Sequence, residues 1–168
     1  MILFDEIASP VGPLTIAERG GRLCLLQFGS FDDSVLTMFE RWYPHEPHER
    51  RQIPGIAAAL RRYFDGDLAA IDAIPVELNG TSFQKDVWSA LRRIPVGTTI
   101  SYAALATRIG QRAAVRAVGA ANGANPVAIV VPCHRVIGSD GSLTGYGGGL
   151  DRKRWLLAHE GVTAPTLF

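Results

Sequence analysis

The sequence predicts an α+β fold of two lobes, a small β-sheet with helices over residues 1–79 and a helical lobe carrying a helix-turn-helix over residues 80–168. Three observations predict it. The first third alternates short apolar runs with turn residues; beyond Leu78 to Thr81 the apolar residues recur at helical spacing; and the charge changes sign at the same place. Residues 1–79 hold 7 basic and 12 acidic side chains, a balance of −5, whereas residues 80–168 hold 10 and 4, a balance of +6, so the net +1 conceals an acidic half joined to a basic one. With 168 residues and 47% hydrophobic content the chain can bury one core, or two small ones sharing an interface.

MILFDEIAS and PLTIAERGGRLCLLQFG read as short strands, broken at SPVGP and at the Gly20-Gly21 pair of a hairpin turn. A helix fits Asp32 to Arg41, YPHEPHERRQIPG reads as a polar, proline-broken loop, and a second helix from Ile56 to Phe64 stops at Asp65-Gly66-Asp67. His45 and His48 in that loop, with no thiol nearby, read as solvated side chains rather than metal ligands. In the second half, Phe83, Val87, Trp88 and Leu91 make one stripe of a helix from Ser82 to Ile94 that ends at Pro95-Val96-Gly97. Ser101 can cap a helix from Tyr102 to Ile109, and Gly110 can close it. The short turn Gln111-Arg112 leads to AAVRAVGAANGAN, completing a helix-turn-helix pattern in the basic half. VAIVVP reads as a strand, Cys133-His134-Arg135 as a turn, GSDGSLTGYGGGL as a glycine-rich loop, and Asp151 to Glu160 as a last helix stopped by Gly161.

Several classes drop out on composition. No apolar run approaches the roughly 20 residues of a membrane helix and MILFDEIASP is no leader peptide, which makes the cytoplasm the expected location. The two cysteines, Cys24 and Cys133, are far apart and form no CxxC pair, so neither a disulfide framework nor a zinc ribbon is expected. Cys24 reads as a small buried hydrophobe within a strand. The glycine-rich loop has no GxxxxGK[ST] phosphate cradle. A basic half attached to an acidic one suits nucleic acid as partner, although two solvated surfaces would give the same count.

The helix after the turn is almost bare, with Arg116 the one large side chain among Ala113, Ala114, Ala117, Gly119, Ala120, Ala121 and Gly123. Base-edge reading in the major groove needs several long polar side chains, which it lacks. Small residues allow close approach instead, either to another helix of the core or to a minor groove into which Arg116 could reach.

Cys133 and His134 pair a nucleophile with a base. A thiol with an unperturbed pKa near ~8.5 is mostly protonated at neutral pH, so it needs help to ionise. In an extended strand successive side chains point to opposite faces, so the two can meet only if the backbone turns or a water lies between them. An orienting carboxylate would have to come from Asp86, Asp140, Asp151 or Glu160, the four acids of this half.

IVVPCHRVIG resembles the active-site signature of the O6-alkylguanine-DNA alkyltransferases, proteins of direct DNA repair. The helix-turn-helix SYAALA…AAVRAVGAANGANP, the segment LTGYGGGL and the ending RKRWLLAHEG occur in the same order and spacing as in that family. Four segments in register are specific. The first third is similar only in length, strand content and its SPVGPLT opening.

The resemblance implies a ribonuclease-H-like first lobe and a winged-helix-like second one. It makes Cys133 the alkyl acceptor, His134 a base acting through a water, and Glu160 the acid that orients it. It gives Tyr102 a part in rotating the nucleotide and protonating the leaving guanine, and Arg116 the space left in the base stack. Asn125 links the recognition helix to the active-site segment; Ala117, Ala121 and Gly123 join Tyr102 and Arg116 on the DNA-binding face; and Val136 and Tyr146 line the pocket. Gly147 and Ala128, both smaller, stand where some members carry serine and proline, which leaves substrate breadth toward bulky alkyl groups open. Some members hold a structural zinc on cysteine and histidine; with only Cys24 in the first lobe, no metal and no cofactor are expected here, and no four-cysteine regulatory module is present.

The expected activity is therefore stoichiometric transfer of an alkyl group from O6 of guanine, and from O4 of thymine, to Cys133 after nucleotide flipping. The expected partner is double-stranded DNA carrying alkylated bases, approached through its minor groove. No membrane partner is expected; the protein would be a monomer in solution, with assembly along DNA open. Two other classes compete. A lesion-sensing or regulatory DNA-binding module of this kind would lack the cysteine, and a cysteine hydrolase would need an oxyanion site and turnover, for which the sequence offers nothing.

Overall fold

The computed structural model describes residues 1–162; residues 163–168, the end of the expected second lobe, lie outside the described residues. The chain divides into two compact units, one of Met1–Gly80 with Pro126–Val130, the other of Thr81–Asn125 with the chain from Val131 on.

The first unit is built on strands β1 (Ile2–Ile7), β2 (Leu14–Arg19), β3 (Arg22–Phe28) and β4 (His48–Arg50), in the order β3-β2-β1-β4. β1, β2 and β3 run antiparallel in succession and β4 is parallel to β1. Gly20 and Gly21 both take positive φ, 60° and 79°, as a two-residue turn matching the twist of β2 and β3 requires. Helix α1 (Asp33–Trp42) begins at Asp32, whose carboxylate accepts from Ser34 N at 2.9 Å, and it lays Val35 and Phe39 on Ile2, Phe4, Ala17, Cys24 and Leu25. Helix α2 (Pro54–Phe64) starts on a proline, which has no N–H to leave unpaired, and buries Ile56, Ala57, Leu60 and Tyr63.

Two expectations for this unit need correction. The polar stretch YPHEPHERRQIPG contains β4, a three-residue edge strand with every residue exposed; its pairing rests on backbone bonds such as Arg51 N to Phe4 O at 3.0 Å, which a hydrophobic pattern does not register. VAIVVP is not a strand. Val127 makes a single parallel bridge to Leu26, after which Ile129 adopts φ 69° and Val130 N turns back to Ala128 O at 2.7 Å. Pro126 and Pro132 bracket the run, and its fully buried backbone is satisfied by turns and by β3, through Leu26 N to Pro126 O and Ala128 N to Leu26 O, both 3.0 Å. An unbroken apolar run signals burial without specifying extended geometry.

The second unit packs helices α3 (Ser82–Arg92), α4 (Tyr102–Arg108), α5 (Val115–Gly123) and α6 (Leu150–His159) around a two-residue parallel pairing of β5 (Ile100–Ser101) with β6 (Val136–Ile137). α3 opens on a reciprocal cap, Thr81 accepting from Gln84 N at 3.1 Å while the Gln84 side chain accepts from Thr81 N at 3.0 Å. Its buried Trp88 donates through Nε1 to Ala121 O at 2.9 Å and so ties α3 to α5. α4 starts at the Ser101 cap and closes at Gly110, whose φ is 70°; the turn into α5 is held by Gln111 N to Ala106 O at 2.9 Å and Ala114 N to Gln111 O at 2.8 Å. The expected helix, turn and helix are present. No helix among the described residues is long and apolar enough to cross a membrane.

Candidate active site

Cys133, His134 and Arg135 form one 3-10 turn, entered through Pro132 and left into β6. Cys133 N donates to Val131 O at 2.8 Å and Arg135 N to Pro132 O at 3.0 Å, so the chain coils where a strand would alternate faces. All three side chains are buried.

His134 and Glu160, both wholly buried, meet with Nε2 at 3.0 Å from Oε2. The same carboxylate takes a two-pronged bond from Arg135, Nε to Oε1 at 2.8 Å and the second terminal nitrogen to Oε2 at 3.0 Å, while the remaining nitrogen donates to Ile94 O at 2.7 Å. Burial alone would raise the Glu160 pKa, but the bonds and charges of His134 and Arg135 hold it far below the usual carboxylate range. Burial pushes His134 the other way, down from the ordinary imidazole value, and the charges of Arg135 and Lys153 add to this against the pull of Glu160. Glu160 is thus an anion beside a neutral ring. Nε2 then carries the proton, and Nδ1, which has no hydrogen-bond partner among the described residues, carries the lone pair.

Burial pushes the Cys133 thiol up, and three groups oppose it by favouring the thiolate: the side chains of Asn125 and Tyr146, which can bond to the sulfur, and the charge of Lys153. Asn125 is held in place by donating Nδ2 to Val131 O at 2.8 Å. Lys153 has no solvent exposure; its ammonium donates to Val136 O at 2.7 Å and to Thr144 O at 3.3 Å and lies 5.9 Å from the centre of the Tyr146 ring. The arrangement can ionise a thiol, accept its proton and keep both out of bulk water.

Of the other residues expected at the site, Val136 is buried in β6 and Tyr146 lies in the glycine-rich loop. β5–β6 pairing sets Ser101, and with it Tyr102 at the start of α4, beside the segment that follows Cys133. The half-buried Tyr102 accepts a hydrogen bond from Thr144 Oγ1 at 3.1 Å and lies against Gly119 of α5. On α5, Arg116, Ala117 and Gly123 are exposed on the outer face, whereas Ala121 is buried, with its carbonyl taken by Trp88. Gly147 is exposed in the loop; Ala128 is buried in the segment that belongs to the first unit.

Sequence reasoning missed Arg135 and Lys153. Arg135 stood within the quoted signature. Lys153 had a visible signal, since Lys153, Leu156, Leu157 and Glu160 recur at i, i+3, i+4 and i+7, one face of α6, and all four are buried. Among the described residues no three His, Cys, Asp or Glu side chains gather as a metal would need.

Two family models match the chain: the ribonuclease-like domain of 6-O-methylguanine DNA methyltransferase over residues 2–78 and the DNA binding domain of the same protein over residues 82–162. The methylated-DNA–protein-cysteine methyltransferase of Salmonella typhimurium is 47% identical over 164 residues, covering 95% of this chain and 96% of the relative. That of Mycobacterium tuberculosis is 47% identical over 177 residues, covering 100% and 99%. Among solved structures, Mycobacterium tuberculosis O6-methylguanine methyltransferase superposes with a TM-score of 0.80 at 44% identity over 98% of this chain and 96% of the other. Mycobacterium tuberculosis OGT in complex with DNA gives 0.79 at 43% identity, over 99% of each. Two matched domains and near-full-length identity to enzymes of one name show that the chain belongs to the methylated-DNA–protein-cysteine methyltransferase family.

Proposed function

We propose that this protein repairs DNA by moving an alkyl group from O6 of guanine, and from O4 of thymine, onto Cys133. The observation that carries the reading is the buried His134–Glu160 pair adjoining Cys133 in the same turn, with an imidazole nitrogen left to accept a proton. The Cys133 proton passes through a water to His134 Nδ1, and the thiolate attacks the alkyl carbon. The new S–C bond forms as the C–O6 bond breaks, and the electron pair goes to the guanine ring, which Tyr102 protonates through its phenol. The imidazolium proton returns through solvent to the Tyr102 phenolate, so the sum is thiol plus alkylguanine to thioether plus guanine, and the step calls for no cofactor.

The alkyl carbon lies within the base stack, so the nucleotide must be turned out before a buried sulfur can reach it. The small exposed residues of α5 and the single long Arg116 suit approach to the minor groove of duplex DNA, with the guanidinium occupying the vacated space. Ala117 and Gly123 line that face, and Val136 and Tyr146 enclose the base and its alkyl group. The product is a thioether, which has no facile route of hydrolysis or exchange, so each molecule, acting as a monomer, works once.

The test is to incubate the protein with a duplex containing O6-methylguanine, digest it and weigh the peptide bearing Cys133. A gain of one CH₂ on that peptide, stopping at one methyl per protein, is expected. Tight binding with an unmodified peptide would make the protein a lesion sensor, and continued turnover would make it a hydrolase or a true catalyst.

A further inference from the structure

The proton path above needs His134 neutral with its lone pair on Nδ1, and Glu160 alone does not provide that. A carboxylate 3.0 Å from a buried imidazole draws a second proton onto the ring, and an imidazolium cannot take the proton of Cys133. Arg135 opposes this tendency. Its fork engages both oxygens of Glu160, at 2.8 and 3.0 Å, and its third arm is anchored to Ile94 O at 2.7 Å, just beyond α3, with 3% of the residue exposed. The carboxylate is therefore fixed in orientation as well as balanced in charge. It needs both, because Glu160 is the residue that ends α6, where the helix dipole disfavours an anion. The packing around it is close as well: a Cβ on Gly97 would lie 3.1 Å from Glu160 O, at a backbone φ of 81°.

We propose that Arg135 is a positioning residue for the reaction: by holding Glu160 in a two-pronged ion pair it keeps His134 as the neutral Nε2–H tautomer, ready to accept a proton at Nδ1. The proposal rests on the functional reading above and deepens it. The charged groups that act on His134 are Lys153 from α6, Glu160 at the cap of α6 and Arg135 from its own turn, where the titratable Cys133 precedes it in the chain. Before transfer, with Cys133 a thiol, Glu160 and Arg135 sum to zero, so no negative charge is left for the imidazole to neutralise, and the ammonium of Lys153 disfavours a second positive charge there. With Arg135 removed, the negative charge of Glu160 is left for His134 to neutralise, and the ring becomes the cation.

The experiment follows the ring nitrogens of His134 by ¹⁵N NMR in the full-length protein between pH 5 and 8. The wild type is expected as neutral Nε2–H at pH 7; an imidazolium there, or the Nδ1–H tautomer, would overturn the proposal whether or not the protein transfers methyl. In Arg135→Gln the protonation midpoint should rise by about one pH unit or more, a tenfold gain in proton affinity, and the acid limb of the single-turnover transfer rate should move up with it. Arg135→Lys, which keeps the charge and loses the fork, should show a smaller rise. A rate that falls by one factor at every pH, with the midpoint unmoved, would reduce Arg135 to a brace of the fold. Should Arg135→Gln fail to fold, the wild-type spectrum and Arg135→Lys still decide. Failure of the wild type to methylate Cys133 would instead sink the functional reading, while the His134 spectrum is judged by itself.

Discussion

Lys153 places its ammonium 2.7 Å from the carbonyl oxygen of Val136, wholly removed from solvent, and so fastens α6 to the residue that follows the Cys133 turn. Burial lowers its pKa to about 8, which keeps most molecules charged at neutral pH, and that charge favours the Cys133 thiolate. Lys153→Met should raise the thiol pKa further and slow single-turnover transfer at pH 7 by about tenfold, one pKa unit of thiolate. The wild-type lysine discharges as pH rises through about 8, so the ratio of wild-type to variant rate should shrink above that point. A ratio constant from pH 6 to 9.5 would assign the lysine to packing alone.

Glu160 should make its mark on stability in acid. Its folded pKa is held below the ordinary value of about 4.3, so the sign is that of a depressed acid: the contribution is complete above the unfolded pKa and is lost as pH falls through the folded one. Glu160→Gln leaves the buried Arg135 without a counter-charge, at a cost of about 3–5 kcal/mol near neutrality. Guanidinium unfolding of both proteins should show a constant gap from pH 5 to 7 that narrows below pH 4. A gap that does not change with pH would mean the carboxylate is not the ionised partner.

Much of this organisation is legible in the sequence because it is local. The Gly20-Gly21 turn, the Ser101 cap and the Gly110 stop each depend on one or two residues and their φ, and the structure has all of them. What was not legible is set by partners distant in the chain. β4 pairs through backbone with exposed side chains, and β5 and β6 are two residues each, too short for any period. Residues 127–131 carry the composition of a strand yet coil, with a β-branched Ile129 held at positive φ, because surrounding groups satisfy their backbone. The tie between His134 and Glu160 spans 26 positions; its two residues came from a family resemblance, and no pattern within the chain pairs them. Arg135 and Lys153 escaped notice because charged side chains are ordinarily assigned to solvent.

Cys24 should be silent where Cys133 reacts. Burial, with the charge of Glu77, pushes its thiol up to about 12, and Sγ donates to Ala17 O at 3.5 Å. Cys24→Ala should leave alkyl transfer unchanged and cost about 1–2 kcal/mol for the lost sulfur in the β1–α1 core. Labelling the native protein at pH 8 and weighing the peptides should find Cys24 unmodified; rapid modification of Cys24 would show that this core opens to reagent.

The small residues of α5 separate internal packing from approach by a partner. A methyl on Gly119 would sit 3.9 Å from Cδ1 of Tyr102, an ordinary contact, and one on Gly123 would meet nothing within 4 Å. Neither glycine is needed for φ, since neither has a positive value. Glycine inside a helix costs about 0.5–1 kcal/mol relative to alanine, so the bare face reduces stability without serving the helix's own contacts. Gly119→Ala and Gly123→Ala should therefore raise stability by up to that amount. Gly123→Phe, at an exposed position, should fold equally well yet weaken binding to duplex DNA by tenfold or more, because on the proposed reading the ring stands between the helix backbone and the groove. Arg116→Ala should bind unmodified duplex almost as well as wild type while transferring methyl at least tenfold more slowly, since in the proposed reading the lost side chain acts only once a base has left the stack. Fluorescence anisotropy and single-turnover rates on one duplex check both variants. Undiminished affinity in Gly123→Phe, or undiminished transfer in Arg116→Ala, would move the DNA contact off this face of α5.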